Sequence, residues 1–330
     1  MSRLTLPVQL STFKFTLDTN RGPLRIGELF EDMFAQPDVS DEDAARLGAK
    51  AAGVLSFRYA CGADVTILVS KNAGRYRLQA STLAALWLLA AELVRRLELA
   101  FGPGGSQASP GGGERGGEGE GEGGGGAALL PAFAVQYGEP LPLADFFACV
   151  DEHFAARCEL ARANDALNDR SQQFRVVQKR LLSRFKEKNP SPLNQIDVVL
   201  KSTYESIIDT AAAIERLQAG LDAASRRLSC AVSLLLLLMR FRFQLSDEWC
   251  DLLRAHLSPD VRDNDDAGWE EITDAAMTYL LRTRLAKQAK ETAPPPPALQ
   301  RPRDTSKLKK HITIVCDRLA KRAGRAGRRT

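Results

Sequence analysis

The sequence has few of the side chains that carry most enzyme chemistry and metal binding. Its 330 residues include only three histidines and six cysteines, and no cysteine pair has the two-residue spacing of a zinc or redox motif. The glycine-flanked serine of hydrolases and the two-histidine helix motif of zinc proteases do not occur. We therefore expect free thiols in a reducing compartment, and no catalytic residue, cofactor, metal or small-molecule substrate.

Two local patterns keep a chemical alternative open, and both have a simpler interpretation. Cys149 and His153 are four residues apart, a spacing that can hold a metal on one helix face. Cys158 falls on the other side of that helix, so further ligands are missing and packing is favoured. The acid pairs Asp265-Asp266 and Glu270-Glu271 are predicted to lie in a loop and at a helix start. Acids at a helix start interact favourably with the helix dipole, so a catalytic role is disfavoured.

The sequence also lacks a long hydrophobic run. The most apolar stretch, residues 230–239, is bracketed by arginines, and it is about half as long as the roughly 20 apolar residues that a bilayer core needs. The amino terminus has no apolar segment of signal-peptide type, so secretion is not indicated. We predict that residues 230–239 are buried inside a helical bundle.

Two long helix-compatible stretches are the main positive feature. Residues 143–189 contain neither glycine nor proline, and a second stretch runs from Pro192 to about Phe243. The prolines between them end the first helix, because proline has no N–H group and disfavours helical geometry in the residue before it. We predict a long antiparallel helical hairpin, whose tip is formed by Phe185, Asn189, Pro190 and Pro192.

A column of aliphatic side chains runs through the second stretch. It repeats every seven residues, as in a helix face that packs on another helix. This hairpin seam comprises Leu200, Ile207, Ile214, Leu221, Leu228 and Leu235. In the first stretch a polar interval at residues 164–170 interrupts the apolar stripe, so a bend or a local loss of pairing is expected there. A helix of about 45 residues spans roughly 65 to 70 Å. Such a length favours a role in protein assembly over a role in forming an active site.

The first hundred residues indicate a small α/β domain. Strand-like runs, one of which alternates apolar and polar residues, predict strands at residues 13–17, 54–59, 65–70 and 75–79. Apolar residues on one helical face predict a helix at 26–34. Ser81 is the expected cap of a further helix that ends near Phe101. Residues 102–126 contain 14 glycines and four glutamates, and this composition is typical of a flexible linker or insertion. A phosphate-binding loop is disfavoured there, because the charges are acidic.

Shorter helices follow the hairpin. They are predicted from Ser246 to Pro259 and from Gly268 to about Lys290, and a proline-rich spacer begins at residue 293. A basic amphipathic helix is predicted at 304–322, before a disordered basic tail at 323–330.

Positive charge is concentrated at the carboxyl terminus. The net charge is +4, but residues 301–330 hold eleven Lys or Arg against two Asp. One interpretation is a solvated face over an apolar stripe packed on its own bundle. The other is contact with anionic lipid or an acidic partner. Nucleic acid is disfavoured because interleaved aromatic residues are absent. The residues for such contact are Lys307, Lys309, Lys310, Arg318, Lys321 and Arg322.

Several long strings resemble one known family. They include SQQFRVVQKRLLSRFKEKNPSPL at 171–193, GWEEITDAA at 268–276, DTSKLKKHITIVCDRL at 304–319 and PLADFFACVDEHF at 142–154, with FTLDTN and RYRLQ nearer the amino terminus. The strings keep their order across nearly the whole chain. On these residues the sequence resembles the family of Bardet-Biedl syndrome protein 9, also called the parathyroid hormone-responsive family. The glycine-rich tract departs from that pattern and resembles an insertion.

The resemblance implies a subunit of the BBSome, a coat-like complex that carries membrane proteins into and out of cilia. It implies a platform domain at 1–101, a linker or insertion at 102–131, the hairpin at 132–243 and a C-terminal helical domain at 244–292. The spacer is then 293–303. The family also has a β-propeller and an immunoglobulin-like ear, and this chain has neither, so we expect a fragment or a shortened form. The implied location is the cytoplasm, the ciliary base and the ciliary membrane surface.

Together these features predict an α+β protein, in which a small N-terminal α/β platform precedes a long antiparallel helical hairpin and a C-terminal helical bundle. The expected function is that of a non-enzymatic scaffold or adaptor subunit of the BBSome. Its expected partners are other BBSome subunits and, through the assembled complex, a membrane surface. The alternative function is a module that binds anionic lipid through the basic C-terminal helix.

Overall fold

A computed structural model describes residues 13–30, 53–102, 132–186, 195–258, 268–286, 299 and 302–326. The chain divides into two compact units. The first unit combines residues 1–141, 233–255 and 319–330, and the second combines residues 142–232 and 256–318.

A five-stranded antiparallel sheet forms the base of the first unit. Its strand order is β2-β3-β4-β1-β5. Along β1, Phe15 and Leu17 are buried while their neighbours are more exposed, as expected for a strand with one face toward a core. The strands are β1 (Phe13–Thr19), β2 (Val54–Arg58), β3 (Asp64–Val69), β4 (Arg75–Ala80) and β5 (Val135–Gln136).

Two helices follow strands of this sheet. Helix α1 (Ile26–Leu29) is a single turn, and α2 (Leu83–Phe101) is a full helix with buried Leu86, Leu89, Leu93 and Leu97. The predicted cap at Ser81 is wrong. The Ala85 N–H donates to the Thr82 hydroxyl at 3.2 Å, while the Ser81 hydroxyl accepts a bond from the Asp64 N–H at 3.1 Å. Of the helix predicted at 26–34, residues 31–34 lie outside the described residues.

One glycine is required where β1 and β4 meet. The Thr19 N–H donates to the Gly74 carbonyl at 2.6 Å. A Cβ atom on Gly74 would lie 2.1 Å from the carbonyl oxygen of Arg21 and from the Thr19 hydroxyl. The close approach of the two backbones therefore leaves no room for a side chain.

The end of helix α4 (Ile196–Phe243) packs into the core of the sheet. Leu234, Leu238 and Phe241 belong to the same buried cluster as the strands and α2. The Gln244 side-chain amide donates to the Val135 carbonyl at 3.2 Å. The prediction that residues 230–239 are buried in a helical bundle is thus incomplete, because part of this run serves the sheet. A helix that is apolar on several faces can pack against more than one layer.

Helix α3 (Leu143–Phe185) and α4 form an antiparallel pair in the second unit. In each cross-helix contact the two residue numbers total 378 to 380. The pairing is therefore in one antiparallel register, with its midpoint at 189 to 190. The contacts join Glu152 to Arg227, His153 to Ser225, Arg170 to Thr210 and Phe174 to Tyr204.

The polar interval does not interrupt α3. The helix is continuous through residues 164–170, and the Arg170 guanidinium donates to the Thr210 hydroxyl. The expected local loss of pairing is therefore wrong at this position. A polar contact replaces the apolar stripe there. At the predicted tip, Phe185 is the last residue of α3, while Asn189, Pro190 and Pro192 lie outside the described residues.

Three more helices complete the described chain, and two differ from their predicted ends. They are α5 (Asp247–Leu257), α6 (Trp269–Arg282) and α7 (Ser306–Ala326). Helix α6 stops at Arg282 instead of near Lys290, because the backbone of Thr283 leaves helical geometry. Residues 323–326, predicted as disordered tail, are helical, as the high helix propensity of Ala323 and Ala326 favours. The predicted glycine-rich tract and proline-rich spacer lie almost wholly outside the described residues.

Candidate functional site

The far end of the hairpin exposes much apolar surface. We call the described residues 171–186 and 195–209, which hold the last part of α3 and the first part of α4, the distal hairpin. Twelve large apolar side chains of the described chain are exposed, and seven of them lie in this segment, each 50 to 70% exposed. They are Val176, Leu182, Phe185, Val198, Val199, Tyr204 and Ile208. Apolar surface concentrated in this way marks an interaction site in many proteins.

Burial along the predicted seam is greatest at the end of α4 opposite the distal hairpin. Leu200 and Ile207 are half-buried, Ile214 is 8% exposed, and Leu221 is again half-buried. Leu228 and Leu235 are 0% and 1% exposed. A helix pair can bury only the stripes that face each other. The full burial of Leu228 and Leu235 therefore requires further packing layers, and no described element covers the distal hairpin in the same way.

A basic groove lies on the distal hairpin. We call it the distal groove, and its lining residues are Val176, Lys179, Arg180, Ser183, Arg184 and Ile196. Lys179 and Arg180 are exposed and form no ion pair with any described residue. Residues 170–186 contain six Lys or Arg and neither Asp nor Glu. The groove therefore combines apolar contact with the exposed positive charges of Lys179 and Arg180.

At the other end of α3, a buried ionic cluster fastens α6. His153 Nδ1 lies 2.7 Å from a Glu270 carboxylate oxygen, and His153 Nε2 lies 3.1 Å from the Ser225 hydroxyl. The Arg157 guanidinium donates to Glu270 and, at 3.1 Å, to Glu271. We call His153, Arg157, Glu270 and Glu271 the ionic clamp. It joins two helices through three nearly buried side chains and through Arg157, whose side chain is 18% exposed.

The electrostatics of the ionic clamp favour the charged carboxylate. Burial pushes the pKa of Glu270 up, but the hydrogen bond from His153 and the charges of His153 and Arg157 outweigh burial and hold that pKa below its usual range. Glu271 also accepts the Gly268 N–H at 2.8 Å, which satisfies a backbone donor at the start of α6. A Cβ atom on Gly268 would overlap the Arg157 guanidinium. The clamp is thus a packed structural contact.

The ionic clamp was not predicted from the sequence. His153 was considered together with Cys149 as a metal-binding alternative, and Glu270-Glu271 were interpreted as acids at a helix start. In the structure His153 turns to Glu270, and Cys149 is buried, which with the charge of Glu152 raises the pKa of its thiol. A usable signal was the spacing of His153 and Arg157, which places two potential cations on one face of α3. Among the described residues, no cluster of three or more His, Cys, Asp or Glu could hold a metal ion.

Most side chains of the predicted basic helix, α7, that were expected to bind a partner contact other residues of the same chain. Its apolar face is buried through Leu308, Ile312, Val315 and Leu319. Four of the six predicted contact residues have partners. Lys307 pairs with Asp274 at 2.8 Å, Lys309 pairs with Asp151, Arg318 donates to the Leu281 carbonyl at 2.9 Å, and Arg322 stacks over Trp249. Lys310 and Lys321 are exposed.

A surface helix that binds lipid inserts its apolar face into the bilayer boundary. In α7 that face is already packed against protein, so the geometry does not favour the lipid alternative. No helix in the described ranges is long and apolar enough to cross a bilayer.

Three models of PTHB1 domains match the chain. The PTHB1 platform domain matches residues 1–109, the PTHB1 hairpin matches residues 140–243, and the PTHB1 C-terminal helix bundle matches residues 245–319.

Similar curated proteins carry the same name. Protein PTHB1 of Mus musculus is 37% identical over 316 residues, and those of Homo sapiens and Xenopus laevis are 36% and 34% identical over the same length. Each alignment covers 96% of this chain but only 32 or 33% of the relative. The chain therefore spans about a third of the length of the curated relatives it matches.

Proposed function

Because the chain belongs to the PTHB1 family, the family of Bardet-Biedl syndrome protein 9, and covers its platform, hairpin and C-terminal helix bundle, we propose that it is a non-enzymatic scaffold subunit of the BBSome. In this role it contacts other BBSome subunits and supports the movement of membrane proteins to and from cilia. Its proposed location is the cytoplasm and the ciliary base, with a peripheral association at the ciliary membrane.

The exposed apolar surface of the distal hairpin is the observation that carries this proposal. Full burial of one large aliphatic or aromatic side chain contributes about 1.5 to 3 kcal/mol. The seven exposed side chains of the distal hairpin can therefore stabilise a subunit contact substantially, even after the entropic cost of association. The predicted seam and tip are part of this proposal as elements that shape the docking surface.

The buried ionisable groups support a structural role better than a catalytic one. The carboxylate of Glu270 is 1% exposed and is already engaged by His153 and Arg157. A general acid or base must reach the proton it transfers. This carboxylate instead fastens α6 to α3, which is what a scaffold requires.

Substitution at the exposed tip of α3 tests the proposal. Leu182→Asp combined with Phe185→Asp places charges at positions that are 60% and 70% exposed, so the fold should tolerate them. The matched control, Asn164→Asp with Asn168→Asp, adds the same charge at exposed polar positions of α3 outside the distal hairpin. In ciliated cells the first variant should lose co-purification with other BBSome subunits, while the control should retain it. Co-purification of both variants at wild-type levels would show that the hairpin is not a docking element.

A further inference from the structure

The chemistry of the distal groove points to a particular kind of partner. We propose that this groove binds an acidic amphipathic helix of another protein. The inference rests on the proposed scaffold function and specifies the partner chemistry of its docking surface.

The distal hairpin carries more positive than negative charge. Residues 171–186 and 195–209 together carry six Lys or Arg against three Asp or Glu. One of the three acids, Glu205, already pairs with Lys201 on the same helix, with 3.9 Å between a carboxylate oxygen and the Lys201 Nζ. Lys179 and Arg180 at the groove therefore have few compensating charges among these residues of the distal hairpin. A partner that supplies carboxylates reduces the repulsion among them and is attracted over a distance.

The lining residues from α3 form two rows along the helix. Val176, Arg180 and Arg184 follow one another at four-residue spacing, and so do Lys179 and Ser183. Residues at this spacing form ridges along a helix, and the groove between two ridges accepts a ridge of another helix. Ile196 adds an apolar contact from α4.

The mixture of side chains distinguishes a protein helix from a lipid surface. Val176 is 52% exposed and Ile196 is half-buried, and both lie among the cations instead of on a separate apolar face. A membrane-surface helix instead has one broad apolar face opposite its charged face. An amphipathic helix with acids beside its apolar stripe can fill the groove and pair with Lys179 and Arg180 at once.

A photo-crosslinking residue at Val176 tests this inference in the full chain expressed in ciliated cells. Three forms are compared: the otherwise natural sequence, the groove variant Lys179→Glu with Arg180→Glu, and the control Arg216→Glu with Arg226→Glu. The control changes the charge by the same amount at exposed positions of α4 outside the groove lining. Circular dichroism of the purified forms checks that all three retain their helical content.

The adduct is identified by mass spectrometry. The inference predicts crosslinks to protein segments with a net negative charge and an amphipathic helical pattern. Their yield should fall about tenfold or more in the groove variant, because two attractive charges become repulsive. It should stay within about twofold in the control, since isolated surface charges contribute little.

Each other outcome overturns the inference. Adducts to lipid, adducts to a neutral or basic segment, no adduct, or equal yields from the groove variant and its control would all exclude an acidic helix at this groove. The scaffold proposal fails separately. It fails if Leu182→Asp with Phe185→Asp leaves co-purification unchanged. It survives if that variant loses its partners while charge reversal in the groove has no effect.

Discussion

Replacement of Glu270 by glutamine should destabilise the helical second unit strongly. Glu270 is 1% exposed, and its carboxylate receives hydrogen bonds from His153 and Arg157. Glutamine has nearly the same shape, so the change removes charge and acceptor capacity without opening a cavity. The Arg157 guanidinium then loses one of the two carboxylates that compensate its charge.

The expected size follows from these contacts. A hydrogen bond to a charged group contributes about 1.5 to 3 kcal/mol, and loss of one partner from a buried pair costs about 3 to 5 kcal/mol. Arg157 keeps Glu271 at 3.1 Å, so part of the interaction remains. We therefore expect the free energy of unfolding to fall by about 3 kcal/mol.

The effect of Glu270→Gln should depend on pH in a defined direction. The folded-state pKa of Glu270 lies below its usual range, because the hydrogen bond and the charges of His153 and Arg157 outweigh burial. The ionised carboxylate therefore stabilises the fold fully above the unfolded-state pKa of about 4.3. This contribution is lost as the pH falls through the folded-state pKa. The difference between wild type and variant should be constant near neutral pH and shrink in acid below about pH 4.

Urea denaturation followed by circular dichroism measures this difference. Glu152→Gln is the matched control, because Glu152 also pairs with an arginine across two helices, Arg227 of α4, but both side chains are about half exposed. The control should cost less than about 1 kcal/mol. If Glu270→Gln cost no more than Glu152→Gln, the ionic clamp would not hold α6 on α3 as described.

Three further predictions concern other parts of the chain. Leu238→Ala should lower the stability of the sheet-containing unit by about 2 to 5 kcal/mol in thermal or urea unfolding, because a fully buried side chain leaves a cavity. A cost below about 1 kcal/mol would contradict the placement of α4 in the sheet core. Gly74→Ala should also destabilise this unit, since its Cβ would meet the Arg21 carbonyl. Unchanged melting would contradict that contact. Burial raises the pKa of the Cys316 thiol to about 12, so in the native protein iodoacetamide should modify exposed Cys61 long before Cys316. Equal rates would refute this.

The sequence predicted the elements better than it predicted their surroundings. Periodicity and the two prolines indicated both arms of the hairpin, and the register of α3 against α4 is consistent with a reversal between them. The different burial of Leu200 and Leu228 could not be read from the same column. Both are leucines at equivalent heptad positions, and only the presence or absence of further layers distinguishes them.

Long-range polar contacts were the least predictable part. Helix α6 and the first third of α3 are more than a hundred residues apart, so no local pattern links Glu270 to His153 and Arg157. The acids were correctly placed at a helix start but were assigned only a dipole role. The exposed apolar residues of the distal hairpin were likewise hidden, because a sequence pattern shows that Phe185 is apolar without showing whether anything covers it.

Hydrogen exchange in the assembled complex tests the central claim most directly. Amide exchange would be measured in the chain alone and in the chain bound to other BBSome subunits. If the distal hairpin is a docking surface, amides of residues 174–185 and 196–208 should exchange about tenfold or more slowly after assembly, because a partner suppresses their local opening. Exchange that is equally fast in these two segments before and after assembly would contradict the account.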